Sequence, residues 1–117
     1  MPTTSNAPHP APPPGPAGSA ADLRALEAMT ADSPRARRNL RFGLWLAGRV
    51  GLPAGEQACA YAWEVMQSDH QEPGDADVIG KAARDLAARG QPMAEAAIGA
   101  ELRRFERQAR DEIFHRD

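Results

Sequence analysis

Between Asp32 and Glu56 every charged residue is an arginine, namely Arg35, Arg37, Arg38, Arg41 and Arg49, and from Glu56 through Asp77 every formally charged side chain is acidic. A guanidinium presents a planar fork of donors that grips a carboxylate or a phosphate through two parallel hydrogen bonds. Two chemistries suit this pattern. An antiparallel helix pair would exchange salt bridges, each worth less than about 1 kcal/mol at a surface. Alternatively, Arg35, Arg37, Arg38 and Arg41 meet an acidic partner or phosphates. A second cluster, Asp69, His70, Glu72 and Asp75, has the oxygen ligands that hard cations take. The same acids at the start of a helix cap and solvate it, and that is the expectation. There is no phosphate-cradling glycine loop, no paired Cys and His spacing and no nucleophile elbow, so neither catalytic residues nor a metal or cofactor are expected, and the chain is not read as an enzyme. His9 and His115 have no sequence-local partner, and Cys59 stands among apolar neighbours as a packed thiol rather than a reactive one.

The elements that must position these side chains are punctuated by proline. Of the 11 prolines, Pro2, Pro8, Pro10, Pro12, Pro13, Pro14 and Pro16 crowd the start, whereas Pro34, Pro53, Pro73 and Pro92 are spread evenly along the remainder. Proline breaks a helix interior but suits a first helical turn or a loop. Residues 1–21 contain no Asp, Glu, Lys or Arg and are rich in Pro, Ala, Gly, Ser and Thr. Such a segment cannot offset its ordering entropy by burial and is expected to be a disordered tail, with Pro12, Pro13 and Pro14 at most a ligand for an aromatic groove. The 117 residues make one domain plus this tail. The net charge of −2 makes nucleic acid an unexpected partner, and the single cysteine fits a reducing compartment. With no signal-like N-terminus and no apolar run of bilayer length, a soluble cytoplasmic protein is expected.

Leu23, Leu26 and Met29 recur at helical spacing in a short amphipathic arm, residues 22–32. Ser33 then reads as an N-cap with Pro34 at the first helical position. The first bundle helix runs from about Pro34 to Val50 with Leu40, Phe42, Leu44, Trp45 and Ala47 partly inward, and Gly51 ends it. Pro53 is expected to open the second helix, which reaches about His70 with Ala58, Tyr61, Ala62, Val65 and Met66 on one face. Asp75 is the expected N-cap of the third, with Val78, Ile79, Ala82, Leu86 and Ala87 inward. The fourth follows Pro92 along the stripe Ile98, Leu102, Phe105, Ala109 and Ile113. The predicted fold is all-α, a four-helix bundle over residues 33–117 behind a disordered Pro-rich tail.

Taken in order, Arg37-Arg38-Asn39, Gly43-Leu44-Trp45 with Ala47, and Gly51-Leu52 resemble the first-helix signature of the bacterial zeta subunit, an inhibitor of the F-type ATP synthase. Ala60-Tyr61-Ala62, Glu64-Val65, Asp69, Glu72-Pro73-Gly74-Asp75, Asp77-Val78, Lys81 and Asp85-Leu86-Ala87-Ala88 continue the resemblance without a gap to about Gly90, and the last helix continues it weakly. The resemblance implies a four-helix body and an N-terminal arm. Flexible when free, such an arm becomes helical on entering a catalytic interface of the enzyme's soluble head, where it stops hydrolytic rotation. The expected function is therefore inhibition of ATP hydrolysis through the catalytic head subunits.

Two departures qualify what carries over. In the family a mixed-charge helical arm containing Phe runs straight into the Arg-Arg-Asn segment. Here residues 30–34 interrupt it, and Ser33, preceding proline, should break a continuous helix. No arm residue transfers by position, and Leu23, Leu26 and Met29 are expected to serve as a short substitute arm. The alternative is a zeta-like paralogue that keeps the bundle, no longer inhibits, and works as an interaction module through Trp63 or the arginines. Trp63 and Cys59 stand where polar residues are expected in the family, and His70 where an aromatic is. The three share one flank of their helix, which is either a widened core contact or an exposed aromatic patch for a partner.

Overall fold

Helix ends in this chain are set by local hydrogen-bonding chemistry. The computed structural model describes residues 22–70 and 74–115, with the His70 side chain excepted, and these form five α-helices and no strand. They are α1 Leu23–Met29, α2 Pro34–Arg49, α3 Glu56–Gln67, α4 Ala76–Ala88 and α5 Glu95–Phe114, with a 3₁₀ turn Ser68–His70 after α3. The expectations for the Pro-rich segment 1–21, for His9 and for Glu72 and Pro73 lie outside the described residues.

Ser33 caps α2 as expected, its hydroxyl accepting from the Ala36 N–H at 3.0 Å, with Pro34 in the first turn. Gly51 and Gly90, at φ 89° and 72°, end α2 and α4. Past each glycine the next N–H reaches back into the last turn, from Leu52 to the Ala47 carbonyl and from Gln91 to the Leu86 carbonyl, both at 2.9 Å. Three expectations about helix starts and helix number are corrected. Helix α3 begins at Glu56, not Pro53, because Gly55 at φ 102° turns the chain just before it. Asp75 occupies the N-cap position of α4 but makes no cap bond, its carboxylate being drawn to Arg38 instead. The described residues hold five helices rather than four, because the short arm folds as α1.

Helix α2 is central, with α3 along one side and α5 along the other, and α4 packs mainly on α5 and the 3₁₀ turn. Gly43 lets α3 approach: a Cβ there would lie 2.8 Å from the Ala62 Cα and 3.0 Å from its Cβ. One core cluster holds Phe42, Leu46, Tyr61, Val65, Val78, Leu86, Ile98 and Leu102 among others. At its α2–α5 seam Phe42, Trp45 and Phe105 form a tilted and edge-on aromatic trio with centroids 5.6–6.3 Å apart. A second, smaller cluster joins Leu26 of α1 to Leu40, Cys59, Ala62 and Met66. Ala87, expected inward, is exposed, and Ile113 is half-buried at the end of its stripe.

Candidate functional site

The short arm has no length to sustain itself, since isolated helices below about 12 residues are marginal in water. Helix α1 is instead held on the body, where Leu26 joins Leu40 of α2 and Cys59, Ala62 and Met66 of α3. Its start is capped by Asp22, whose carboxylate accepts from the Arg24 N–H at 2.9 Å. Leu26 is 0% exposed in the second core cluster, whereas Leu23 and Met29 are 41% and 50% exposed. Thr30, also fully buried, donates its hydroxyl to the Leu26 carbonyl at 2.9 Å.

Arg37 ties this helix end to the rest of the protein. Its Nε donates to Thr30 Oγ1 at 2.8 Å, Nη2 to the Glu27 carbonyl at 2.7 Å and Nη1 to Glu112 Oε1 at 2.6 Å. Arg41, one turn further along α2, grips the same Glu112 carboxylate at 2.9 and 3.0 Å and reaches Glu27 Oε2 at 2.8 Å. The guanidinium adds a short bond to a last-turn carbonyl of α1 that otherwise has only the longer bonds from Thr30, and its charge suits the negative pole there.

At the start of α2 the other two arginines close the joint with the α3–α4 connection. Arg35 clamps Asp69 bidentately at 2.6 and 2.7 Å and also donates to the Gly74 carbonyl at 2.7 Å. Arg38, almost fully buried, donates to Asn39 Oδ1 at 2.8 and 3.0 Å and to Asp75 at 3.0 Å, while Asn39 passes its own amide hydrogen to Asp69 at 2.7 Å. All four arginines of the candidate partner patch are thus engaged by carboxylates of this chain. The exchange is partly between α2 and the acids that follow α3, as one of the two sequence readings has it, and partly with α5, which the sequence pattern did not suggest. Asp69 and Asp75 are held by guanidinium groups, and among the described residues no cluster of three potential ligands could hold a metal ion.

These contacts shift the acids involved. Burial would raise Glu112 from its ordinary 4.5, but hydrogen bonds from Arg41, Arg37 and Gln108 outweigh it and hold the group down at about 2. Asp69 is treated the same way: burial pushes it up, and Arg35 and Asn39 more than reverse the push. Cys59 is raised, first by burial and then by the negative charges of Asp22 and Glu27 across the α1 seat, so it is a protonated, packed thiol.

Trp63 is half-buried. It packs on the second core cluster and also borders a groove of about 410 Å³ with Met29, Ala36, Met66 and Asp69. Of its flank, Cys59 is buried and Trp63 packs on the core, which is the widened core contact, while the His70 side chain lies outside the described residues. Elsewhere the Tyr61 hydroxyl donates to Asp85 at 2.6 Å, and Lys81 pairs with the same carboxylate at 3.0 Å, which joins α3 to α4. Burial, and then that bond, keep the Tyr61 pKa well above its usual value. Sequence reasoning missed the roles of Glu27, Thr30, Asn39 and Glu112. Each is ordinary in its local context, and Glu112 lies 75 residues from Arg37, so no local signal could have paired them.

A family model, ATPase inhibitor subunit zeta, matches residues 27–112. Neither the curated proteins nor the solved structures searched include a match to this chain. The matched segment begins and ends on the two acids that meet at Arg41, Glu27 and Glu112. The four arginine anchors, Asn39, the Gly43 crossing and the Tyr61–Asp85–Lys81 bridge all lie within it. Leu23 and Leu26 lie outside it, and Met29 lies inside. The match covers most of the chain and the whole of the body that these contacts hold together, and the chain belongs to the ATPase inhibitor subunit zeta family.

Proposed function

We propose that this protein is a regulatory inhibitor of ATP hydrolysis by the F-type ATP synthase. It acts on the soluble catalytic head through α1, with Leu23, Leu26 and Met29 as the contact, and the α2–α5 body serves as the dock. The reading takes its partner class from the family. The observation that carries the arm is apolar exposure: of the three large hydrophobic side chains exposed among the described residues, Leu23, Met29 and Phe114, two stand on the seven-residue α1. Exposed apolar groups concentrated on one short element are what a partner surface requires. No described helix is long and apolar enough to cross a membrane.

The test is steady-state ATP hydrolysis by the isolated catalytic head with increasing amounts of this protein. Hydrolysis should fall, and Leu23→Asp with Met29→Asp should abolish the effect while leaving the melting temperature near wild type, because both side chains are already exposed. Removal of everything before Ser33 is a blunter test, since it also strips Leu26 from the core. Hydrolysis that is unchanged in large protein excess sinks the inhibitor reading.

One observation favours a second reading, that of a paralogue kept as an interaction module. Residues 30–33 break the arm from α2, and Leu26 and Arg37 fasten it to its own body. Capture of the catalytic head without any effect on hydrolysis would select this reading.

A further inference from the structure

We propose that α1 is a latched arm: in the folded protein its central anchor, Leu26, is hidden in the seat formed by α2 and α3, and the arm presents Leu23, Leu26 and Met29 together only after it lifts from that seat. The inference rests on the inhibitor reading for its functional consequence, but its structural content is independent of that reading.

Leu23, Leu26 and Met29, each three residues after the last, lie along one side of a helix. In the docked position that side is split, with Leu26 at 0% exposure between two exposed neighbours. A partner that needs all three cannot meet them while Leu26 packs on Leu40, Cys59, Ala62 and Met66. The seat is also polar. Arg37 binds the Glu27 carbonyl and Thr30 Oγ1, and Arg41 binds the Glu27 carboxylate. Yet the seat is separable from the body. Besides Leu26 and Thr30 no residue of α1 or of its C-terminal cap is buried. Helix α2 starts on its own cap, Ser33 to Ala36 with Pro34 in the first turn, so release of α1 leaves the N-terminus of α2 intact. A segment with few buried contacts opens more easily than the core it rests on. A partner that takes the released arm then sees an apparent affinity reduced by the fraction of arm that is free.

The lone cysteine reports on the latch. Cys59 is buried in the cluster that Leu26 completes and feels the charges of Asp22 and Glu27, so α1 covers it. In the folded protein its reaction with Ellman's reagent should be much slower than in denaturant. Arg37→Gln and Thr30→Val weaken the seat while leaving the side chains of Leu23, Leu26 and Met29 unchanged. Each should speed that reaction about tenfold or more, the scale set by losing a buried hydrogen bond to a charged group. Circular dichroism and the melting temperature are the check that the body stays folded, and should Arg37→Gln unfold it, Thr30→Val carries the test. A Cys59 as reactive in the native wild type as in denaturant, or a rate untouched by the folded variants, overturns the latch. In the hydrolysis assay the same variants should inhibit at correspondingly lower concentration. Faster Cys59 reaction with an unchanged half-inhibitory concentration rejects the latch as a control on function. Should no variant inhibit while Cys59 behaves as described, the inhibitor reading fails and the latched geometry stands.

Discussion

At the scale of single residues, Gly43 and Gly48 stand on the same helix and should respond oppositely to one substitution. Alanine in place of glycine in a helix interior is worth about 0.5–1 kcal/mol through propensity alone. At Gly48 an added Cβ meets nothing within 4 Å, so Gly48→Ala should stabilise by up to that amount. At Gly43 the new methyl would collide with the Ala62 backbone at 2.8 Å. Overpacking costs about 1–3 kcal/mol, which outweighs the propensity gain. Gly43→Ala should therefore destabilise, and urea midpoints for the two variants on the same side of wild type would contradict this account. The glycine is visible in the sequence as part of a Gly-Leu-Trp block, but nothing in the block says that Ala62 is what it accommodates.

At the scale of elements, α1 and α2 differ in how a lost leucine is felt. Leu26 and Leu40 share one cluster and both are fully buried. Leu40→Ala leaves a cavity in a helix that the whole body surrounds, and should cost about 2–5 kcal/mol. Leu26→Ala can be answered by release of α1, which caps its cost at the free energy of docking. We expect a clearly smaller shift in the unfolding midpoint for Leu26→Ala, together with faster exchange of the α1 amides; equal shifts for the two variants would show that α1 is an integral part of the core. The spacing of Leu23, Leu26 and Met29 was legible as an amphipathic turn. That it docks was not, because docking depends on a pocket assembled by α2 and α3.

At the scale of the whole molecule, carboxylate clamps join the ends of helices that are distant in sequence. Glu112 brings α5 to Arg37 and Arg41 of α2, which in turn hold α1, and Asp69 brings the end of α3 to the start of α2. Both carboxyls are held below their ordinary values in the folded state. The folded protein therefore binds fewer protons at these sites than the unfolded chain does in acid. Their contribution is complete above the unfolded pKa and is lost as pH falls, for Glu112 from about 4.5 towards about 2. The melting temperature should fall over this range, and Glu112→Gln, less stable at neutral pH, should show a flatter dependence. An equally steep acid limb in Glu112→Gln would assign the acid sensitivity to other groups. The residues that carry the family resemblance, such as Arg37, Arg38, Asn39, Gly43, Tyr61, Asp69 and Asp85, are largely these joints. The resemblance therefore speaks for the body, while the arm rests on its exposed apolar side chains.

The sequence by itself determined the all-α class, most helix ends and most inward faces. These depend on proline, glycine, cap residues and periodicity, all of which act within a few neighbours along the chain. It also carried the family, through blocks whose order and spacing survive without knowledge of where they meet. Only the tertiary structure decided what the arginines do, that Trp63 is half-buried, and where Leu26 rests. A guanidinium fork is equally suited to an internal carboxylate or an external one, and only the packing that brings Glu112 and Asp69 within 3 Å chooses between them.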